Sequence, residues 1–348
     1  GQPAGLVSVQ REAAVVPHDL LDEIDRTISE LCPQGVAGSG GPWRDRTTRL
    51  LDRCRQAGLI WPAELITDVL HAIERYQEHD ARFDPAEVVQ WLGELAIRSA
   101  AIRHDTGAVP QLLIRGSASD TPTEIRSARF IGLGCGVHCG PGSVRLTAFH
   151  QNVDSGNVVA IHRDFADPPA DSGEEPREFH LLARTTVSRG VSFAALAAGQ
   201  MLLKSGRRTP GHRLTLPRGH FGVNPQSFHW EKLRAPVLAE GVAEIASRLE
   251  TLPPSSLRPR RIAEDLHVCP LQQVESIEFD AAAQRLVARA RDPRGDALTI
   301  VHPYNTRGQQ GFESLAATLE RHGADIRFVA GHVRQGPYGF EMHPLCVA

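Results

Sequence analysis

The sequence has 348 residues, of which 41% are hydrophobic and 23% charged, with a formal net charge of −3 at pH 7. This length allows two or three domains with their own cores, and this composition excludes a disordered chain. The absence of an apolar run of about 18 residues predicts no membrane partner, and six scattered cysteines indicate free thiols in the cytoplasm rather than a disulfide framework.

Residues 1–115 are predicted to form an all-helical bundle domain. Asp84 provides an N-cap, and Pro85 follows it in the first helical turn. Apolar residues recur at helical spacing in three stripes: Leu20, Leu21, Ile24, Ile28 and Leu31; Leu65, Ile66, Val69, Leu70 and Ile73; and Val88, Val89, Leu92 and Leu95. A shorter helix is predicted around Leu50, and the Gly/Ser-rich segment 35–41 is predicted to be a flexible linker. Because acidic residues outnumber basic ones here, this domain is expected to dock a partner or cap the rest of the protein.

Residues 116–230 change to strand periodicity and are predicted to form a β-barrel. The predicted strands are Arg126–Leu133, Val144–His150 and Val158–Arg163, with a hairpin turn at residues 154–157. The acidic, proline-rich segment from Phe165 to Glu178 is predicted to be an exposed and mobile loop. Residues 231–273 are predicted to be a linker that carries one amphipathic helix at Val237–Leu252.

Residues 274–348 carry the most specific pattern in the chain. Strands are predicted at 276–279, 285–291, 298–301, 326–334 and 338–347, with a helix at 312–319 before the stop signal Gly323. The second strand is expected to bury Leu286 and Ala288 and to expose Arg289. This order of three strands, a helix and two strands resembles the topology of the five-stranded OB barrel. Such barrels often hold oligonucleotides on strands two and three, and others are purely structural.

The two β regions also resemble each other in sequence. Arg145-Leu146-x-Ala148 parallels Arg285-Leu286-x-Ala288, and Ile161-His162 parallels Val301-His302. Phe193-x-x-Leu196 similarly parallels Phe312-x-x-Leu315. We interpret this as a degenerate repeat, with chance similarity between short strands as the alternative. The predicted fold is therefore α+β, with an all-helical N-terminal domain followed by two OB-like five-stranded antiparallel β-barrels.

Common catalytic motifs are missing from the sequence. Neither of its two lysines, Lys204 and Lys232, lies in the Gly-Lys-Ser/Thr arrangement of a P-loop. The glycines from Gly132 to Gly136 lack the spacing and the following helix of a dinucleotide fingerprint. The remaining enzyme hypothesis is an unfamiliar type that uses His138, His162 and Asp164, which no motif supports. An enzyme is therefore not predicted.

Cys135, His138 and Cys139 form the metal candidate of the sequence. Thiolates and imidazoles bind zinc, and the flanking glycines would let the backbone wrap around an ion. The stretch supplies three ligands at most, and His150 and His162 are expected on opposite faces of the next hairpin, so both cannot complete the site. The alternative is a flexible β-turn with incidental thiols, and no cofactor is predicted.

The favoured function is an accessory protein that binds single-stranded nucleic acid on OB-like barrel faces. The candidate contacts combine cations for phosphates with aromatic rings for bases: Arg285, Arg289, Arg291, Arg327, Arg334, Tyr304 and Tyr338 in the tail, and Arg207, Arg208 and Arg213 in the first β region. The alternative is a non-catalytic scaffold subunit that binds protein partners. Salt dependence discriminates between the two, because phosphate binding weakens steeply with salt.

Overall fold

A computed structural model describes residues 16–80, 83–105, 114–116, 122–140, 142–169, 172–188, 190–209, 211–217, 219–226, 228–252, 263–336 and 339–348. The chain divides into a helical unit and a β-rich unit. No helix within these described ranges has both the length and the apolar character needed to cross a membrane.

The helical unit contains four long helices: α1 (His18–Gln34), α2 (Gly41–Gln56), α3 (Ile60–Gln77) and α4 (Pro85–Arg103). The Asp84 carboxylate accepts the N–H of Ala86 at 2.8 Å, which confirms the predicted N-cap. The predicted apolar stripes are largely buried. Val89 is the exception, because it is 71% exposed on the outer side of α4. The segment predicted to be a flexible linker contains a 3₁₀ turn at Val36–Gly38.

Helix α4 buries an ion pair inside the helical unit. Arg98 is fully buried, and its Nε and Nη2 atoms lie 2.9 Å and 2.8 Å from Oε1 of the buried Glu94. Its Nη1 donates to the carbonyl oxygen of Ile114 at 3.2 Å, and the guanidinium lies 4.7 Å from the ring centre of Trp61. This core is therefore partly polar, and the two opposite charges within it are paired with each other.

The middle sheet has the strand order β3-β2-β1-β6-β7, with β8 paired to β6. Its strands are β1 (Thr123–Gly140), β2 (Ser143–Asn152), β3 (Val158–Ala166), β6 (Gln200–Arg208), β7 (Leu214–Thr215) and β8 (Phe221–Asn224). A separate hairpin joins β4 (Thr186–Ser188) and β5 (Val191–Ser192), and two short helices are α5 (Phe179–Ala183) and α6 (Phe193–Ala198). Ala160 in β3 also forms a parallel bridge with Arg213, just before β7.

The tail sheet has the strand order β10-β11-β12-β14-β13-β9. Its elements are α7 (Val242–Thr251), β9 (Leu266–Pro270), β10 (Gln273–Asp280), β11 (Arg285–Arg291), β12 (Ala297–Pro303), α8 (Gln309–His322), β13 (Phe328–Gly336) and β14 (Gly339–Val347). The prediction for the second strand is confirmed, because Leu286 and Ala288 are buried and Arg289 is exposed. All five predicted strands and the helix between them are present.

The expectation of two OB-like five-stranded antiparallel barrels is confirmed only in part, because both main sheets are open and not closed barrels. The tail sheet is an open path of six strands, in which β12 and β14 are parallel, whereas the middle sheet is a path of five strands with β8 paired to β6. The sequence did not reveal β9 because four of its five residues are buried, so it lacks the alternation of a half-buried strand. Only Leu271 and Gln272 separate β9 from β10, which form the two ends of the tail sheet.

The two sheets pack against each other through an apolar core that includes Phe149, Trp230, Val268 and Ala330. The bulge in β1 at Gly134 (φ 112°) brings the backbone of β1 against β14. A Cβ atom at this position would lie 2.6 Å from the carbonyl oxygen of Leu345. The glycine is therefore explained by close packing of two backbones rather than by nucleotide binding.

The acidic loop predicted to be mobile is anchored near its two ends. Arg307 makes a bidentate ion pair with Asp167, with nitrogen–oxygen distances of 2.8 Å and 3.1 Å. Its Nε and Nη2 also donate to the carbonyl oxygen of Arg177, and its guanidinium lies 5.3 Å from the ring centre of Phe179. The loop composition indicated exposure, but only the fold brings Arg307 to it.

Candidate nucleic-acid interface

The arginines of β11 lie in a row but face acidic neighbours. Arg285 lies 3.4 Å from Asp280, and Arg291 lies 2.5 Å from Glu275. Arg289 is exposed and forms no ion pair with another described residue. Because the acids stand on the adjacent strand β10, they neutralise much of the positive charge that the sequence predicted for this face.

The other predicted tail residues do not join that row. Arg327 and Arg334 are both exposed, but one precedes β13 and the other lies near its far end, in register with Glu341 of β14. The Tyr304 ring packs edge-on against Phe312, with centroids 5.4 Å apart. Tyr338 lies outside the described residues. The described part of the tail therefore offers no single convergent set of these predicted contacts.

The positive charge of the arginines predicted in the middle sheet is less neutralised by acidic residues than that of the β11 arginines. Arg207 and Arg213 are exposed and Arg208 is half-buried, and none of the three forms an ion pair with another described residue. Arg207 and Arg208 end β6, while Arg213 precedes β7 and bridges to β3. The structure thus brings these three to neighbouring strands of one sheet.

Three further cations, which were not predicted as contacts, lie on β1 and β6. Arg126, Arg129 and Lys204 are exposed, and with Arg207 they form what we call the basic face. Glu124, which lies 3.1 Å from Arg126, is the one acidic residue in the sequences of β1 and β6. This face therefore carries four exposed cations and one acidic residue on two paired strands.

A backbone feature explains why the basic face was not predicted. In a regular strand, Arg126 and Arg129 would lie on opposite sides, because side chains alternate. Ser127 has a positive φ of 48°, which interrupts this alternation. Ile125 and Ala128 accordingly pack against the same core, and both arginines remain exposed. No sequence signal marks this residue as left-handed.

The segment of β6 that pairs with this part of β1 also departs from the regular alternation of side chains. A Cβ atom at Gly206 would lie 3.0 Å from the side chain of Leu203, so both positions face the core although they are three residues apart. Arg207 is consequently on the outer side, where it is in register with Glu124 of β1. Lys204 and Arg207 can therefore both belong to the basic face.

The zinc candidate is not assembled in the structure. Cys135, His138 and Cys139 lie within strand β1, not in a β-turn, so His138 is on the opposite side of the strand from both cysteines. Burial raises the pKa of Cys135 to about 12, which disfavours the thiolate that binds metal. Within the described ranges, no group of three or more potential ligands is arranged to hold a metal ion.

Two of the enzyme candidates, His162 and Asp164, are held by neighbouring side chains of the middle sheet. His162 Nδ1 lies 2.8 Å from the Thr147 hydroxyl, and Asp164 lies 2.6 Å from Arg145. Burial, with Arg213 and Arg145 nearby, lowers the pKa of His162 to about 4. A base with this pKa is far from the value near 7 that suits proton transfer at neutral pH.

His150 lies on the inner face of β2 and should make stability depend on pH. It is fully buried 2.8 Å from the carbonyl oxygen of Leu196, and burial lowers its pKa from 6.5 to about 4. The unfolded chain therefore takes up a proton at a higher pH than the folded protein. We expect the free energy of unfolding to fall between pH 6.5 and 4, by up to about 3 kcal/mol from this residue.

Urea unfolding across this pH range measures the effect, with His150→Gln as the non-titrating comparison. The free energy of unfolding should fall less steeply with decreasing pH in the variant. Part of the decrease should remain, because burial also lowers the pKa values of His267 and His343 to about 4. Equal slopes in both proteins would show that His150 does not control the proton uptake.

Two parts of the chain each match a known domain. Residues 17–116 match the YehQ four-helical bundle domain, and residues 263–348 match the YehQ C-terminal OB-fold domain. The chain therefore carries an N-terminal four-helix bundle and a C-terminal OB-fold domain. It is similar to protein YehQ of Escherichia coli (strain K12), with 22% identity over 300 residues. The match covers 82% of this chain and 47% of YehQ, so the chain spans about half the length of that relative.

Proposed function

We propose that this protein binds single-stranded nucleic acid through the basic face of its middle sheet. The observation that carries the proposal is the exposure of Arg126, Arg129, Lys204 and Arg207 on two paired strands with Glu124 as their only acidic residue. Clustered cations follow a phosphate backbone and supply most of the affinity of non-specific binding. The row on β11 offers less, because its acidic neighbours reduce its net charge.

A second OB-like domain in the middle of the chain is part of this proposal. In the tail, a helix separates the third strand from the next one and β12 lies parallel to β14; in the middle, α6 precedes β6 and a parallel bridge joins β3 to Arg213. The repeated sequences also occupy equivalent elements. Arg145-Leu146 and Arg285-Leu286 lie at the start of second strands, and Phe193 and Phe312 lie in the intervening helices.

Charge reversal tests the basic face directly. Lys204→Glu with Arg207→Glu should weaken binding of a labelled single strand, because fewer phosphates are neutralised and fewer counterions are released. We expect the log–log salt dependence of affinity to flatten by about 0.7 for each phosphate that the variant no longer neutralises. Fluorescence anisotropy with single-stranded DNA and RNA at several salt concentrations gives both quantities.

The matched control reverses two exposed arginines of the tail, Arg289→Glu with Arg327→Glu. This pair changes the net charge equally, so a general electrostatic effect would weaken binding in both proteins alike. Unchanged melting temperatures are required of both variants. Equal weakening would assign binding to overall charge rather than to the basic face.

The second candidate function is a scaffold that docks a protein partner. It is favoured by two exposed apolar side chains on α4, Val89 at 71% and Ile97 at 52%. Apolar docking responds weakly to salt, unlike phosphate binding. If the unmutated protein binds neither DNA nor RNA below about 100 μM at low salt, the scaffold function replaces the first proposal.

A further inference from the structure

A cleft lies where β1 extends beyond its partner β2. Strand β2 ends at Asn152 opposite Phe130, whereas β1 continues back to Thr123 alongside β6. Between this length of β1 and the turn that follows β2 is a cavity of about 310 Å³. Such a volume is at the lower end of the range for small-molecule sites, so it suits one compact ligand.

The cleft combines an apolar floor with a polar rim. Phe130 and Val159 lie behind it and are buried, so the apolar surface that it offers comes from the half-buried Ile125 and Ala128. Arg126 and Arg208 line the rim and supply two guanidinium groups. Arg208 forms no ion pair with another described residue, and the Arg126 pair with Glu124 is highly exposed and therefore weak.

The turn adds hydrogen-bond donors to the rim. Asn152 Oδ1 accepts the N–H groups of Asp154 and Ser155 at 3.0 Å and 2.8 Å, so the remaining group of this side chain is its amide NH₂. Asn157 lines the cleft with a second amide. Among the described residues that line the cleft, Asp154 is the one carboxylate, against two guanidinium groups.

We propose that this cleft binds a single unstacked nucleotide. Its phosphate would pair with Arg126 and Arg208, and its base would lie against Ile125 and Ala128. Guanidinium groups suit phosphate oxygens, amides read base edges, and an apolar floor accepts a base plane. The inference rests on the proposed function, because Arg126 belongs to both the cleft and the basic face, and the nucleotide is one unit of the bound strand.

NMR titration of the full chain with 5′-AMP, 5′-UMP and inorganic phosphate tests the cleft separately from the basic face. We expect both nucleotides to bind more tightly than phosphate and to shift the amide signals of Ser127 and Ser155. Arg208→Gln should weaken nucleotide binding about tenfold, the effect of removing one charged hydrogen bond. Asn157→Asp should also weaken it, whereas Asn224→Asp on β8 adds the same charge away from the cleft and should not.

The outcomes separate the two proposals. Phosphate binding as tight as nucleotide binding would overturn the inference in favour of a simple anion site. The inference would also be overturned if the protein bound oligonucleotides but no mononucleotide, and if Arg208→Gln did not change oligonucleotide binding. That result would leave the proposal for the basic face intact. Mononucleotide binding that depends on Arg208 supports the cleft, even where the oligonucleotide test fails.

Discussion

Replacing Arg98 with methionine is expected to lower the free energy of unfolding of the helical unit by about 3 to 5 kcal/mol. The variant leaves Glu94 buried without its partner and removes the hydrogen bond to the Ile114 carbonyl oxygen. A buried carboxylate without a counter-charge is strongly destabilising, and the variant also removes the packing of the guanidinium over Trp61. Urea unfolding followed by helical circular dichroism measures the change.

The double variant Glu94→Leu with Arg98→Met is the control for this experiment. It replaces both charges with apolar groups, so neither ion of the pair remains unpaired in the core, and it should recover much of the stability. A decrease below about 1 kcal/mol for Arg98→Met alone, typical of an exposed pair, would show that the ion pair is not buried.

Gly134→Ala is expected to destabilise the β-rich unit by about 2 to 5 kcal/mol. An alanine disfavours the φ of 112° at this bulge, and its Cβ would lie 2.6 Å from the carbonyl oxygen of Leu345. The clash is with backbone, which cannot rotate away as a side chain can. Unfolding followed by the fluorescence of Trp230, which lies in the core between the sheets, reports the change.

Gly222→Ala on β8 provides the matched comparison. A Cβ there meets no atom within 4 Å, so the substitution should change stability by no more than about 1 kcal/mol. Equal effects at the two positions would contradict a specific backbone contact at Gly134.

Helices and strands were predictable from the sequence where local periodicity marks them, whereas strands β4 to β8 of the middle region were not predicted. The tail strand Arg285–Arg291 shows this, since alternation alone assigned Leu286 and Ala288 to the core. Strand β9 was not predicted, because a strand that is buried on both sides lacks that alternation. The sequence also did not predict which strands pair with each other. The order of strands in each sheet and the parallel pairing of β12 with β14 are known only from the structure.

The candidate site depended still more on tertiary structure. The arginine row on β11 was predicted, but Glu275 and Asp280 neutralise part of it from a neighbouring strand. The basic face was not predicted, because Ser127 reverses the side-chain alternation of β1 through a backbone angle that its residue type does not specify. Local composition therefore determined which charges the chain carries, whereas strand pairing and one left-handed residue decided which of them lie together.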